Sequence, residues 1–261
     1  MAEIIGICNQ KGGVGKTTTA INLAASLAAA EKRVLLVDFD PQSNSSSGLG
    51  IVKNSVESNS YNLIMGTEGL LPQKTSLPYL DVIPAATDLV GAEIELVSEN
   101  EHEKALKKAL VSYENNYDFI LIDSPPSLGL LTLNLLVASH YLIVPVQAEY
   151  YALEGISDLM RTVSLVQSNY NPGLDVLGVL ITMHDARNNL AHDVEHELRS
   201  HFGNKVFKTV IPRNIRLSEA PSHGKPVLLY DVKSKGAESY LQLAQEFLNS
   251  LEDRQLLGRV A

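Results

Sequence analysis

Residues 4–18 read Ile4-Ile5-Gly6-Ile7-Cys8-Asn9-Gln10-Lys11-Gly12-Gly13-Val14-Gly15-Lys16-Thr17-Thr18, an apolar run that empties into a glycine-rich turn. A helical pattern follows to Ala30, with Ala20, Leu23, Ala24 and Leu27 spaced to share one face. Strand, glycine turn and helix N-terminus in that order predict a phosphate cradle. The small residues Gly12, Gly13, Val14 and Gly15 let backbone N–H groups approach an anion, and the helix dipole adds positive potential. Lys16 is placed to reach terminal phosphates, the Thr17 hydroxyl to hold Mg²⁺, and Thr18 to extend the cradle. One position departs from the usual pattern. Glycine is expected five residues before Gly15, yet Gln10 stands there, and a second lysine, Lys11, occupies the loop entrance. With Lys16 serving the bound phosphate, two tasks remain open for Lys11. It is either a solvated loop residue or a charge that crosses to a nucleotide on a second subunit. Such a charge in trans is worth about 10³–10⁵ in rate.

Outward from this loop, the chain reads as α/β. Apolar, β-branched runs at 3–9, 33–38, 80–84, 119–123, 141–146 and 176–183, with a short one near 206–210, alternate with helical patterns at 16–30, 89–96, 102–114, 130–138, 153–169, 189–202 and 237–252. The expected architecture is a single domain over 1–261, a mostly parallel twisted sheet flanked by helices. Residues 43–60, rich in Ser, Asn and Gly, are the most loop-like stretch. Asn171-Pro172-Gly173 breaks the chain between a helix and a strand.

A length of 261 residues with 45% hydrophobic content supports one large core. No apolar run reaches the roughly 18 residues that would span a bilayer, and Met1-Ala2-Glu3 does not open a secretion signal, so a cytoplasmic protein is expected. The lone Cys8 falls in the first predicted strand and excludes an internal disulfide. Net charge is −9, which argues against a wholly basic nucleic-acid binder. Residues 205–235 nevertheless carry five lysines and two arginines against Glu219 and Asp231, a net +5 on an acidic remainder of −14. The seven histidines show no metal-ligand spacing and are assigned no chemistry.

Two further strands end in carboxylates. Val34-Leu35-Leu36-Val37 runs into Asp38-Phe39-Asp40, and Phe119-Ile120-Leu121-Ile122 into Asp123. In an open parallel sheet ligands gather at the C-terminal strand ends, so these acids face the phosphate loop. If the strand persists, alternation aims Asp38 and Asp40 to one side, one to support hydrated Mg²⁺ and the other to orient attacking water; a turn or helix-cap role is the alternative. Asp123 fits the strand-end carboxylate of a Mg²⁺ shell.

Lys11-Gly12-Gly13-Val14-Gly15-Lys16-Thr17-Thr18 resembles the deviant Walker A motif, a variant P-loop NTPase signature. The chain as a whole resembles the ParA/Soj chromosome-partitioning ATPases, within the wider group that includes MinD and the nitrogenase iron protein. Tyr150-Tyr151-Ala152-Leu153-Glu154-Gly155, Met183-His184-Asp185-Ala186-Arg187 and the stretch 216–226 extend the likeness over nearly the whole chain. The resemblance implies an ATP- and Mg²⁺-dependent ATPase that forms a nucleotide-sandwich homodimer. Lys11 would contact the partner's nucleotide, Asp40 would serve hydrolysis with Asp38 nearer the metal, and the turn after Asp123 would be a switch. Pro212 would pack on adenine and Asn214 would hydrogen-bond it. Arg187, Arg216 and nearby lysines, Lys225 among them, would hold double-stranded DNA without sequence preference, giving nucleoid association. A ParB/Spo0J-type centromere-binding partner would stimulate hydrolysis.

The sequence also sorts the relatives. One cysteine cannot supply the paired ligands of a cluster-bridging iron protein. A MinD-like membrane anchor needs a basic amphipathic tail, whereas residues 247–260 hold two arginines and two acids. A metabolic P-loop enzyme would need a substrate pocket, for which no signature stands out. The helix-turn-helix extension of some plasmid relatives does not precede the loop, so operator-specific binding is not expected.

Overall fold

The computed structural model describes residues 1–52, 58–149 and 152–258; Tyr150 and Tyr151 of the family-like stretch, and the last three residues, lie outside the described residues. The apolar run before the glycine turn is β1 (Glu3–Ile7), and the helix after it is α1 (Lys16–Ala29). There follow β2 (Val34–Asp38), α2 (Asn44–Gly48), α3 (Ser60–Ile64), β3 (Gln73–Lys74), β4 (Leu80–Ile83), α4 (Leu89–Glu95), α5 (Ala105–Leu110) and β5 (Phe119–Asp123). The second half holds α6 (Leu130–Ala138), β6 (Tyr141–Gln147), α7 (Ala152–Asn169), β7 (Asp175–Thr182), α8 (Asn189–Phe202), α9 (Ile215–Glu219), α10 (Val227–Tyr230) and α11 (Lys235–Gly258).

Among the described residues the strands form one seven-stranded sheet in the order β3-β4-β2-β5-β1-β6-β7. Every pairing is parallel except the edge strand β3 on β4. After β1 the chain builds one side of the sheet, and from β6 onward it builds the other. The glycine turn leaving β1 therefore sits where the strand order reverses, the place an open α/β sheet reserves for ligands.

Side-chain alternation splits the core in two. Ile5, Ile7, Val34, Leu36, Phe119 and Leu121 face α1 and α11, where the expected stripe Ala20, Leu23, Ala24 and Leu27 is fully buried with Leu243 and Phe247. Ile4, Leu35, Val37, Ile120 and Ile122 face the opposite way, onto Leu131 and Leu135 of α6 and the apolar sides of α4, α5, α7 and α8. Both faces of the sheet are covered, which is why its strands read as near-continuous apolar runs.

Three local expectations are corrected, and one strand lies where none was expected. Residues 206–210 do not form a strand: Val206 makes a single bridge to Val179, and the chain then runs alongside β7 with Ile211 N–H donating to the Ile181 carbonyl. The helix expected over 102–114 is a 3₁₀ turn (His102–Lys104) leading into the short α5. The two-residue strand β3 carries too few residues for alternation to reveal it. The loop expected at 43–60 contains α2, whose Ser45 and Ser46 are fully buried, and the start of α3.

Candidate functional site

The phosphate loop is shaped by backbone that only glycine adopts readily. Gly13 and Gly15 hold φ of 74° and 89°, and Gly15 is the N-cap of α1. Thr182 at the end of β7 donates to the Val14 carbonyl at 2.8 Å, tying the loop to the neighbouring strand. Lys16 curls back and donates from Nζ to the Lys11 carbonyl at 3.0 Å. Its burial lowers its proton affinity, which the nearby Asp123 opposes. Lys11 itself is held in cis: its Nζ pairs with Glu149 Oε2 at 3.0 Å, and its backbone N–H donates to Asn9 Oδ1 at 3.0 Å.

The two strand-end acids are brought together as expected from their positions. Asp38 and Asp123 are register partners across β2 and β5, and both are fully buried. Burial raises both above the usual carboxylate range, and their mutual repulsion adds to the rise at Asp123. Their hydrogen bonding differs. Asp38 Oδ2 accepts from Ser46 N–H at 2.7 Å and from Ser46 Oγ at 2.6 Å, while Oδ1 accepts from Asp40 N–H at 3.3 Å. Asp123 Oδ2 accepts from Ser45 Oγ at 2.7 Å, but among the described residues buried Oδ1 has no hydrogen-bond partner. The Thr17 hydroxyl, at the start of α1, favours its charged form. Two buried carboxylates with one unfilled oxygen, beside a lysine and a threonine hydroxyl, are a donor set that fits a hard divalent cation.

Asp40 does not continue the strand. β2 ends at Asp38, and Asp40 turns to accept Gln42 N–H at 2.9 Å, so strand alternation does not orient it. It stays buried and close enough to Lys16 to raise that group's proton affinity. Sequence reading missed Ser45 and Ser46. The one signal was a serine run a few residues after the paired acids, in a helix too short to show periodicity.

Beside the loop lies a cavity of about 470 Å³ that joins Gly15 and Thr18 to Pro212, Asn214 and Tyr240. Pro212 and Asn214, more than 190 residues beyond the loop in sequence, thus line one space with it. Asn214 caps α9 by accepting Arg216 N–H on Oδ1 at 2.9 Å, which leaves its amide nitrogen for donation. Met183, on the rim, sits in the left-handed region at φ 50°, a conformation costing about 1–2 kcal/mol for a residue with Cβ.

The basic residues divide. Arg187 is 89% exposed and pairs with Asp185 at 2.9 Å, which holds that carboxyl well below its usual range. It shares a groove of about 550 Å³ with Arg213 and Lys235. Arg216 and Lys225 do not line that groove. Arg216 is clamped by Glu219 at 2.8 Å and Asp231 at 3.2 Å, the two acids of the basic segment, and Lys225 is exposed. No described helix is long and apolar enough to cross a membrane.

A family profile described as an AAA domain matches residues 2–176. The chain is 57% identical over 248 residues to the sporulation initiation inhibitor protein Soj of Bacillus subtilis (strain 168), covering 94% of this chain and 98% of that protein. It is 52% identical over 263 residues to the chromosome partitioning protein ParA of Myxococcus xanthus, covering 100% and 93%. Among solved structures it is similar to cobyrinic acid a,c-diamide synthase from Mycobacterium smegmatis with bound ADP and magnesium. That match has a TM-score of 0.85 at 35% identity and covers 97% and 96% of the two chains.

Proposed function

The chain belongs to the family of Soj and ParA chromosome-partitioning proteins, and from that premise we propose that it is an ATPase that partitions chromosomal or plasmid DNA. The observation that carries the reading is the buried Asp123 Oδ1, without a hydrogen-bond partner among the described residues, beside Lys16 and the Thr17 hydroxyl at the mouth of the glycine turn. Mg²⁺ arriving with ATP would supply the missing counter-charge, and ATP the phosphoryl group to be transferred.

Gly12, Gly13, Val14, Gly15, Lys16, Thr17 and Thr18 cradle the phosphates, and Pro212 and Asn214 receive the base in the adjoining cavity. Thr17 and Asp123 would hold the metal with Asp38 close by, its carboxylate oriented by hydrogen bonds from Ser46 and the Asp40 N–H. Asp40 orients the attacking water; its turn geometry and burial beside Lys16 support that role. Phosphoryl transfer asks for positioning and charge neutralisation, and each of these groups supplies one or the other.

Lys11 leaves Glu149 and neutralises charge on the nucleotide of a second copy when a homodimer closes. The dimer joins two faces carrying Arg187, Arg216 and Lys225, with Arg213 and Lys235 in the Arg187 groove, to hold double-stranded DNA through its phosphates. Hydrolysis, stimulated by a ParB-type centromere-binding partner with a basic segment, releases it; the net charge of −9 is compatible with such a partner. The protein is cytoplasmic and associates with the nucleoid through that DNA. A metabolic reading rests on the likeness to a cobyrinic acid a,c-diamide synthase at 35% identity, whereas relatives at 50–52% identity are chromosome partitioning proteins.

A DNA mobility shift with and without ATP, at two salt concentrations, tests the reading. Retention only with ATP and lost at high salt is expected, and Lys16→Ala abolishes it together with ATP binding. Absence of DNA binding under all conditions refutes the partitioning role, and near-normal ATP binding by Lys16→Ala refutes the cradle.

A further inference from the structure

Away from the phosphate loop, the end of β7 and the face of α8 bring two histidines and a glutamate together. His184 follows the left-handed Met183 and is pinned by its backbone on both sides: its N–H donates to the Ile211 carbonyl at 3.1 Å and its carbonyl accepts Arg213 N–H at 3.0 Å. Its side chain is 10% exposed, and buried Nε2 has no hydrogen-bond partner among the described residues. That nitrogen lies 3.2 Å from Glu195 Oε2, close enough for a hydrogen bond yet without the geometry of one. His192 and Glu195, three residues apart on α8, share a face, and the rings of His184 and His192 meet edge to face with centroids 5.2 Å apart. One potential ligand atom from each of the three residues lies within 4.8 Å of the others.

We propose that His184, His192 and Glu195 bind a divalent transition-metal ion of the zinc class. Two donors on one tetrahedral ion with bonds of about 2.0–2.1 Å stand about 3.3 Å apart, the spacing already present between His184 Nε2 and Glu195 Oε2. The off-line approach of that pair is what convergent lone pairs give, where an ion pair would aim N–H at oxygen. The outer contacts are built as well. His192 Nε2 donates to the Ala186 carbonyl at 3.0 Å, which leaves the lone pair on Nδ1. Glu195 Oε1 accepts Arg199 Nε at 2.9 Å, and Arg199 reaches on to the Phe207 carbonyl at 3.1 Å, so Oε2 is the oxygen free to ligate. Two imidazoles and one carboxylate favour zinc, cobalt or nickel over magnesium and leave one position for water. The bound ion ties α8 to the turn of residues 184–188 that presents Arg187, a link independent of the nucleotide chemistry.

Cobalt titration of the full chain, with Mg²⁺ and ADP in excess to occupy the phosphate loop, is the test. We expect one equivalent of Co²⁺ to develop the visible absorption of a four-coordinate ion and to be displaced by Zn²⁺. His192 is exposed, so His192→Ala keeps the fold. Its affinity for Zn²⁺, read by competition with a chromophoric chelator, falls at least as far as the about 10–100-fold cost of removing an outer-shell partner. Glu195→Gln gives a second reading of the same loss. Failure of the wild-type chain to bind Co²⁺, or unchanged binding in His192→Ala, overturns the site.

Discussion

Replacing Ser46 by alanine tests whether α2 is a structural clamp on the strand-end acids. The Ser46 hydroxyl donates to Asp38 Oδ2 at 2.6 Å and accepts the Ala85 N–H at 3.1 Å, with Ser46 and Asp38 fully buried. A hydrogen bond to a charged group contributes about 1.5–3 kcal/mol, and an unsatisfied buried N–H costs about 1–3 kcal/mol more. Because Ser46 N–H still donates to Asp38, we expect the lower part of the summed range, about 2.5–4 kcal/mol. In a chain of this size that lowers Tm by roughly 5–8 °C. The loss depends on pH with a definite sign. Burial raises Asp38 above its ordinary value, and the Ser46 hydroxyl acts against that rise by favouring the ionised form. Deleting it therefore harms the ionised native state most. The deficit is full above the native Asp38 titration and shrinks as pH falls through it. Calorimetric melting of nucleotide-free protein at about pH 8 and about pH 5 reads both effects. A variant melting within about 1 °C of wild type at the higher pH, or a deficit that grows on acidification, would refute the clamp.

Gly224→Ala places a Cβ 2.7 Å from the Gly50 Cα while φ is +61°, so urea unfolding should show a loss of about 2–4 kcal/mol; a change under about 0.5 kcal/mol would mean that the contact yields freely. Glu149→Gln removes a surface ion pair whose members are 39% and 48% exposed, so stability should change by less than about 1 kcal/mol. The same change frees Lys11, and sedimentation should show stronger ATP-dependent dimerisation; weaker dimerisation would exclude competition between Glu149 and a partner's nucleotide. Cys8 is fully buried and its thiol is pushed up to about 11, so it should resist alkylation near pH 8 until the chain unfolds; rapid labelling of the native protein would contradict that burial.

Much of the molecule was legible along the chain because its signals are local. The glycine turn, the strand-end acids and the first helix each lie within about one supersecondary unit, and strand and helix periods separate cleanly where both sheet faces are buried. The expected positions of β5, α6 and α8 agree with those observed, residue for residue. The two-residue strand β3 and the helices α2, α9 and α10 were not legible: two residues show no alternation, and four or five hardly exceed one helical turn, so these elements exist through packing against longer neighbours.

Sequence by itself determined that strand, glycine turn and helix follow one another and that three acids end two apolar runs, so the fold class and the phosphate cradle were set by neighbours in the chain. Tertiary structure alone decided what each group meets. It laid Ser45 and Ser46 on Asp123 and Asp38, opened the cavity that joins Pro212 and Asn214 to Gly15, paired Lys11 with Glu149, and turned unspaced histidines into a cluster with Glu195. The physical reason is range. Backbone preference and hydrophobic period act over a few residues, whereas hydrogen bonding, ion pairing and ligation depend on distances that only the folded chain creates.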